Sequence, residues 1–343
     1  MIRSFHASLA MNARLSGSDT PLTYQDITQA MQKNETLQSK LFEMQRPHTI
    51  QLFKDSITDT KRLAWIVSLS GSDSKSSRWL DVTPKTVDFK FKSDQFQALL
   101  CHRLLLQQPI FVPTSKCYCK SAPLLDPYGH HLSAGCAKDG TFHKTHDSLK
   151  MVIKDLCNFA GFVTRVEEPR CFQEADPDCN LRPDLSIYNF PNHPRRKLIL
   201  DVSVTHPVPI ISSRVLSRNE ASQPCRAANL CFNRKNNKYS AVSEANDLEF
   251  LPLIFETTGK MHPKTETFLD RTVAEIVNTR DHPGVRSVLQ FYWFARVSCC
   301  LQKCIADSIL SKSRVVNGSL TRSNNWRYEE SFLANNTSIL VDS

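Results

Sequence analysis

Long apolar runs are what this chain lacks first. Among its 343 residues no stretch approaches the ~18 apolar residues that a membrane span needs, so no membrane partner is expected. The N-terminus lacks the apolar core of a secretory signal, which favours a reducing, intracellular compartment. The Asn-x-Ser/Thr sites at Asn34, Asn317, Asn335 and Asn336 then carry no expectation of glycosylation. Also missing are a Gly-rich phosphate loop, a Gly-x-Ser-x-Gly elbow and a His-Glu-x-x-His helix. Nucleotide-binding, serine-hydrolase and zinc-protease chemistry have little support without them. Residues 1–18 contain no acid but carry Arg3, Arg14 and several serines. That resembles a transit peptide, yet short acid-free starts are frequent, so a mitochondrial address is the minority reading.

What is present is positive charge and cysteine. The net charge is +9, which suits a polyanionic partner: DNA, with RNA as the alternative. A DNA target implies the nucleus, although the charge runs are too short for a localisation signal. Hydrophobic content of 41% is low but adequate for a packed core. Twelve cysteines are too scattered for a small disulfide scaffold and are weighed first as metal ligands. A cysteine nucleophile with a histidine base has no local signature in its favour.

Residues 21–66 are polar with helical spacing, and the small residues of 68–77 read as a linker closing a helical N-terminal region over 1–76. Residues 93–106 predict a helix with Phe96, Leu99, Leu100 and Leu104 on one face and Ser93 as its N-cap. Residues 77–145 then comprise this helical segment and a Cys/His-rich loop that starts at Cys117. Leu149, Val152, Ile153 and Leu156 mark an amphipathic helix over 148–160, stopping at Gly161. Strands are predicted over 162–166, 185–188, 197–204 and 250–256, and helices over 265–278 and 285–310. This order argues for a mixed α/β core over 146–311, followed by a polar, poorly ordered tail over 312–343.

Two constellations carry chemistry. Cys117-x-Cys119, His131 and Cys136 supply three thiolates and an imidazole, the donor set of a closed tetrahedral Zn²⁺ site. The loop between them has little to bury, so a metal would contribute its folding energy directly. His130, His143 and His146 compete for the histidine position, and a loop that merely carries free cysteines is the plainer alternative. Cys101, Cys157, Cys231, Cys299, Cys300 and Cys304 lie in apolar helical patterns and read as core residues.

The second constellation is Arg182-Pro183-Asp184 and, seventeen residues further on, Asp201 within Leu200-Asp-Val-Ser-Val204. Alternation in 197–204 sets Leu198, Leu200, Val202 and Val204 on one face and Ile199, Asp201 and Ser203 on the other. An acid in mid-strand among apolar neighbours is costly unless it is paired or metal-bound. Two strands joined by the turn at 189–196 can bring Asp184 and Asp201 together, and paired carboxylates suit Mg²⁺ and phosphodiester cleavage. A lysine usually assists, but the position two after Asp201 is Ser203. Lys235 and Lys238 could reach the cleft from a helix. Glu256 and Asp147 are candidates for an outer role. Pro-Asp is a common dipeptide, and Asp176-Pro-Asp178 is a decoy nearby.

From about Arg78 to Leu310 the chain resembles the C-terminal region of non-LTR retrotransposon reverse transcriptases that carry a restriction-enzyme-like endonuclease. The matching pieces, in order, are Trp79-Leu80 with Phe96 to Leu104, Cys117-x-Cys119 with Asp126-Pro-Tyr-Gly-His-His-Leu132, Cys136 and Thr145-His-Asp147. They continue with Arg182-Pro-Asp184, Leu200-Asp-Val-Ser-Val-Thr-His-Pro207, Lys235-x-x-Lys238-Tyr239 and Leu251-Pro-Leu-Ile-Phe-Glu-Thr-Thr-Gly259. The resemblance implies a PD-(D/E)xK core with a small zinc knuckle and a helical N-terminal region. It implies Cys117, Cys119, His131 and Cys136 as zinc ligands, Asp184 and Asp201 as magnesium ligands, and Lys235 or Lys238 as the displaced lysine. No Tyr-x-Asp-Asp quartet occurs, so copying of RNA is not expected. The competing reading is a catalytically inactive, zinc-containing nucleic-acid-binding module or a degenerate remnant, which Ser203 in the lysine's place favours.

Overall fold

A computed structural model describes residues 48–70, 74–109, 117, 125–134, 136, 141–174, 177–191, 197–209, 215–280 and 285–316. The expectations for 1–47, for Cys119 and for the tail beyond 316 lie outside these residues. So do most of the turn at 189–196 and residues 120–124 of the loop between Cys119 and His131.

The sheet has four strands in the order β1-β2-β3-β4: Thr164–Val166, Leu185–Ile187, Lys197–Thr205 and Leu248–Glu256. β1 and β2 run antiparallel, as do β2 and β3; β3 and β4 run parallel. A parallel pair needs a crossover, and a long helix over Arg226–Ala245 supplies it. Counting the longer helices in chain order, α1 is Thr60–Leu69, α2 Ser93–Leu104, α3 Thr141–Phe159, α4 Arg226–Ala245, α5 Pro263–Arg280 and α6 Arg286–Val316. The chain is therefore mixed α/β, with helices around a small sheet.

β3 is apolar on both faces, as a strand between two layers must be. Leu198, Leu200 and Val202 enter the main core with Leu149 and Ile153 of α3, Phe268 of α5 and Phe294 of α6. Ile199 faces the other way, against Phe172, Tyr239 and Leu248. The alternation expected from sequence therefore holds, and it places Asp201 and Ser203 on the face that α4 covers.

Two expectations fail locally. The described parts of 68–77, residues 68–70 and 74–77, pack against the body instead of linking: Ser68 and Ser76 are buried, and Ser76 O accepts from Ser298 Oγ at 3.2 Å. Gly259, at φ +100°, lies so close to the Ser76 carbonyl that no Cβ fits between them. In α2 the buried face is Gln95, Ala98, Leu99, Cys101 and His102, whereas Phe96 and Leu104 are exposed, and the N-cap is Lys92 rather than Ser93. Periodicity missed this because two of the inward residues are polar and find partners: Gln95 Nε2 donates to Asp307 at 2.8 Å, and His102 Nδ1 to Tyr128 O at 2.9 Å. Likewise Cys300 and Cys304 are only partly buried, unlike Cys101, Cys157, Cys231 and Cys299.

Candidate functional site

The β2–β3 register builds the site. Leu185 opposes Leu200, so one further step sets Asp184 beside Asp201. Residues directly opposite in an antiparallel pair point to the same face with Cβ atoms ~5 Å apart. Like charges so placed repel, and each acid here has its own cationic partner.

Asp184 Oδ2 accepts from the Val202 amide at 2.6 Å and from His146 Nε2 at 2.9 Å. His146 comes from the first turns of α3, and its Nδ1 lies 3.1 Å from Asp147 Oδ1. With a carboxylate at each nitrogen the imidazolium is favoured. The His146 pKa is raised, chiefly by the bond to Asp184, with burial opposing. Asp184 Oδ1 makes no hydrogen bond to any described residue, and the side chain keeps 15% exposure.

Asp201 is 5% exposed. Lys235 Nζ reaches both its oxygens, 3.0 Å from Oδ1 and 2.9 Å from Oδ2, and Ser203 Oγ donates to Oδ2 at 3.1 Å. Tyr239 follows Lys235 by one helical turn, so one face of α4 presents both side chains to Asp201. The Tyr239 ring stacks on Phe250 with centroids 4.6 Å apart. Its pKa is pushed up to about 12 by burial and then by the charges of Asp201 and Asp184. Burial holds Asp201 above the ordinary carboxylate range; Lys235 opposes this and Asp184 adds to it.

Of the residues expected from sequence, Asp184, Asp201 and Lys235 are thus brought together. Lys238 is not: it is exposed and lies over the Tyr239 ring at 5.0 Å. Glu256 meets neither acid; its carboxylate is sealed between the Ser68 hydroxyl and the Ala228 amide. Asp147 does take an outer place, holding His146 and, at 2.9 Å, Lys150. Sequence reasoning missed His146, weighed there only as a zinc ligand, and Tyr239. The available signal was the i,i+4 spacing of Lys235 and Tyr239.

The second cluster is Cys117, His131 and Cys136, whose donor atoms all lie within 4.8 Å of one another. The two sulfurs are 3.5 Å apart. Both cysteines are buried, and the chemistry of the set fits a soft, tetrahedral ion such as Zn²⁺. Asp126 orients this turn by accepting from the amides of His130 and His131, each at 2.9 Å. The other candidate histidines go elsewhere. His143 is exposed against Phe142, His146 is on Asp184, and His130 joins Trp65, His102 and His206 in a separate aromatic cluster.

No protein-family model matches the chain. Over 171 residues, 49% of its length, it is 25% identical to the Retrotransposable element SLACS 132 kDa protein of Trypanosoma brucei gambiense. The match spans 13% of that protein. The similarity supports a retrotransposon-related origin. Among the described residues no helix is long and apolar enough to cross a membrane.

Proposed function

We propose that the chain is a retrotransposon-derived, Mg²⁺-dependent DNA endonuclease with a PD-(D/E)xK core, acting by phosphodiester hydrolysis. The observation that carries this reading is Asp184 beside Asp201, with the ammonium of Lys235 on the same cleft. Asp184 and Asp201 would hold the Mg²⁺, which supplies Lewis-acid charge and a more acidic water when bound. The chain's own groups do the rest. Val202 N and His146 fix the Asp184 rotamer through Oδ2 and leave Oδ1 for ligation. Ser203 holds Asp201 by a hydrogen bond to Oδ2. Lys235 adds fixed positive charge where negative charge grows on the phosphoryl oxygens, the task left open by serine at position 203. Cys117, His131 and Cys136, with Cys119 as the fourth ligand, would hold a Zn²⁺ that ties the loop to the core. DNA as substrate places the protein's work in the nucleus, with the basic surface recruiting the phosphate backbone.

The test is nicking of supercoiled plasmid by zinc-loaded protein with Mg²⁺ or Mn²⁺, beside Asp184→Ala and Asp201→Ala. Nicking by the wild type, lost at least about 10³-fold in both variants with DNA affinity kept, is the expected result. Folded, DNA-binding wild type that never nicks would instead mark an inactive binding module.

A further inference from the structure

The carboxylate pair is charge-balanced without any metal, and the way it is balanced has a consequence for metal entry. Asp201 is the more deeply buried acid, and both its oxygens are engaged by one ammonium at 3.0 and 2.9 Å. A Mg²⁺ or Mn²⁺ ion must approach a carboxylate oxygen to about 2.1 Å. An ion at that distance and an ammonium clasping both oxygens would be two cations a few ångströms apart in a partly screened cleft. One of them has to move. Lys235 can: its side chain is 25% exposed and it extends from α4 on a flexible stem. Asp201 cannot, because β3 is flanked by β2 and β4 and Ser203 Oγ donates to its carboxylate. Asp184 offers the vacant lone pair on Oδ1 as the point of first contact.

We propose that Lys235 is the resting counter-ion of the metal site: its ammonium occupies the Asp201 oxygens until a divalent ion enters at Asp184 and evicts it into the cleft. This rests on the nuclease reading above and adds to it an internal competitor that sets the affinity for the ion. The eviction is useful chemically. It keeps buried Asp201 paired when no ion is bound, and it releases the ammonium toward a phosphate only when the ion has arrived.

The test is Mn²⁺ binding to the zinc-loaded full chain, read by the loss of the free Mn²⁺ paramagnetic resonance signal and requiring no catalysis. Wild type is compared with Lys235→Met and Lys235→Gln. The control is Lys238→Met, which removes an exposed charge from the same helix. Two further variants, Asp184→Asn and Asp201→Asn, report whether any bound ion sits at the acids. The expected result is Mn²⁺ binding at least about tenfold tighter in both Lys235 variants than in Lys238→Met, the scale of removing one nearby unit charge. Equal or weaker binding in the Lys235 variants, with binding still lost in the Asp variants, overturns the counter-ion proposal and leaves the metal site standing. Binding that ignores Asp184→Asn and Asp201→Asn overturns the metal site and this proposal together. Matching far-ultraviolet circular dichroism across the variants confirms that folded proteins are compared.

Discussion

Two regions along β3 and β4 partner their ionisable groups in different ways. Around Asp184 and Asp201 the acids face cations: Lys235 faces one, against burial that raises Asp201, and His146, raised by its bond to Asp184, faces the other. Around Glu256 the groups are driven neutral. Burial pushes Glu256 up, lowers His102 to about 3 and lowers His130 and His206 as well. Their partners are hydroxyls, amides and one another: Ser68 and Ala228 N on Glu256, Thr257 Oγ1 on His206 at 2.6 Å, and His206 on His130 at 3.2 Å. Trp65 of α1 packs against the three imidazoles, edge-on to His102 and His130 and tilted to His206, with centroids 4.5 to 5.6 Å away. The difference lies in the mobility of the partners. A lysine or a partly exposed histidine can leave and be replaced by a ligand, whereas a helix-terminal amide and a buried hydroxyl cannot. One region can therefore exchange what it binds, and the other locks α1 and the turn after β3 in place.

The widest separation between the two should come from removing one acid in each. Glu256→Ala leaves the Ala228 amide and the Ser68 hydroxyl unpartnered in a sealed core, an expected loss of about 3 kcal/mol in urea unfolding. Asp201→Asn removes a repulsion with Asp184 and leaves a lysine free to reach water, so its expected change is under about 1 kcal/mol in either direction. Equal losses in the two variants would break the distinction between an exchangeable and a locked carboxylate.

Sequence carried the sheet well because its signals are local. The apolar runs at 197–204 and 250–256 become β3 and β4, and the alternation in β3 already assigns Asp201 and Ser203 to the face away from Leu200 and Val202. It also named Lys235 and Lys238 as candidates for the place beside Asp201, but which of them lies there depends on the rotation of α4 about its axis, which goes with Tyr239 stacking on Phe250 of β4. The histidines were least legible. His130, His131 and His146 look alike in sequence; one meets two thiolates, one a carboxylate and one a tryptophan, all through contacts made by distant segments. Polar residues buried by such partners, Gln95 and His102 in α2 and Ser68 beside Glu256, likewise leave no periodic trace.

A pH series sharpens the contrast through the neutral cluster. His102 has a folded pKa of about 3 against an ordinary value of 6.5, so the unfolded chain takes up its proton first. Its contribution is fully present above pH 6.5 and is lost as pH falls from there toward 3. Between pH 6.5 and 4.5 this single group should cost about 2 kcal/mol. The raised Asp201 and Glu256 act in the opposite sense, contributing most at low pH, so the informative quantity is the difference between wild type and His102→Phe. The variant is expected to lose less stability on acidification, and parallel curves would show that the cluster is not held neutral.

The smallest effect belongs to His146, and its sign is reversed. Its folded pKa lies above the ordinary histidine value, so the folded chain holds the proton more tightly than the unfolded one. The contribution is therefore fully present below pH 6.5 and disappears as pH rises through the raised value. His146 has 22% side-chain exposure and its partner Asp147 has 60%, so solvent screens part of the interaction. A stabilisation below about 1 kcal/mol is expected. His146→Gln, which keeps one donor for Asp184 Oδ2, should unfold slightly earlier than wild type at pH 6 and together with it at pH 9. Direct titration of the His146 ring by NMR gives the same answer independently. A ring titrating at or below 6.5 would mean that Asp184 does not hold it charged, and the two histidine environments would then differ in degree and not in sign.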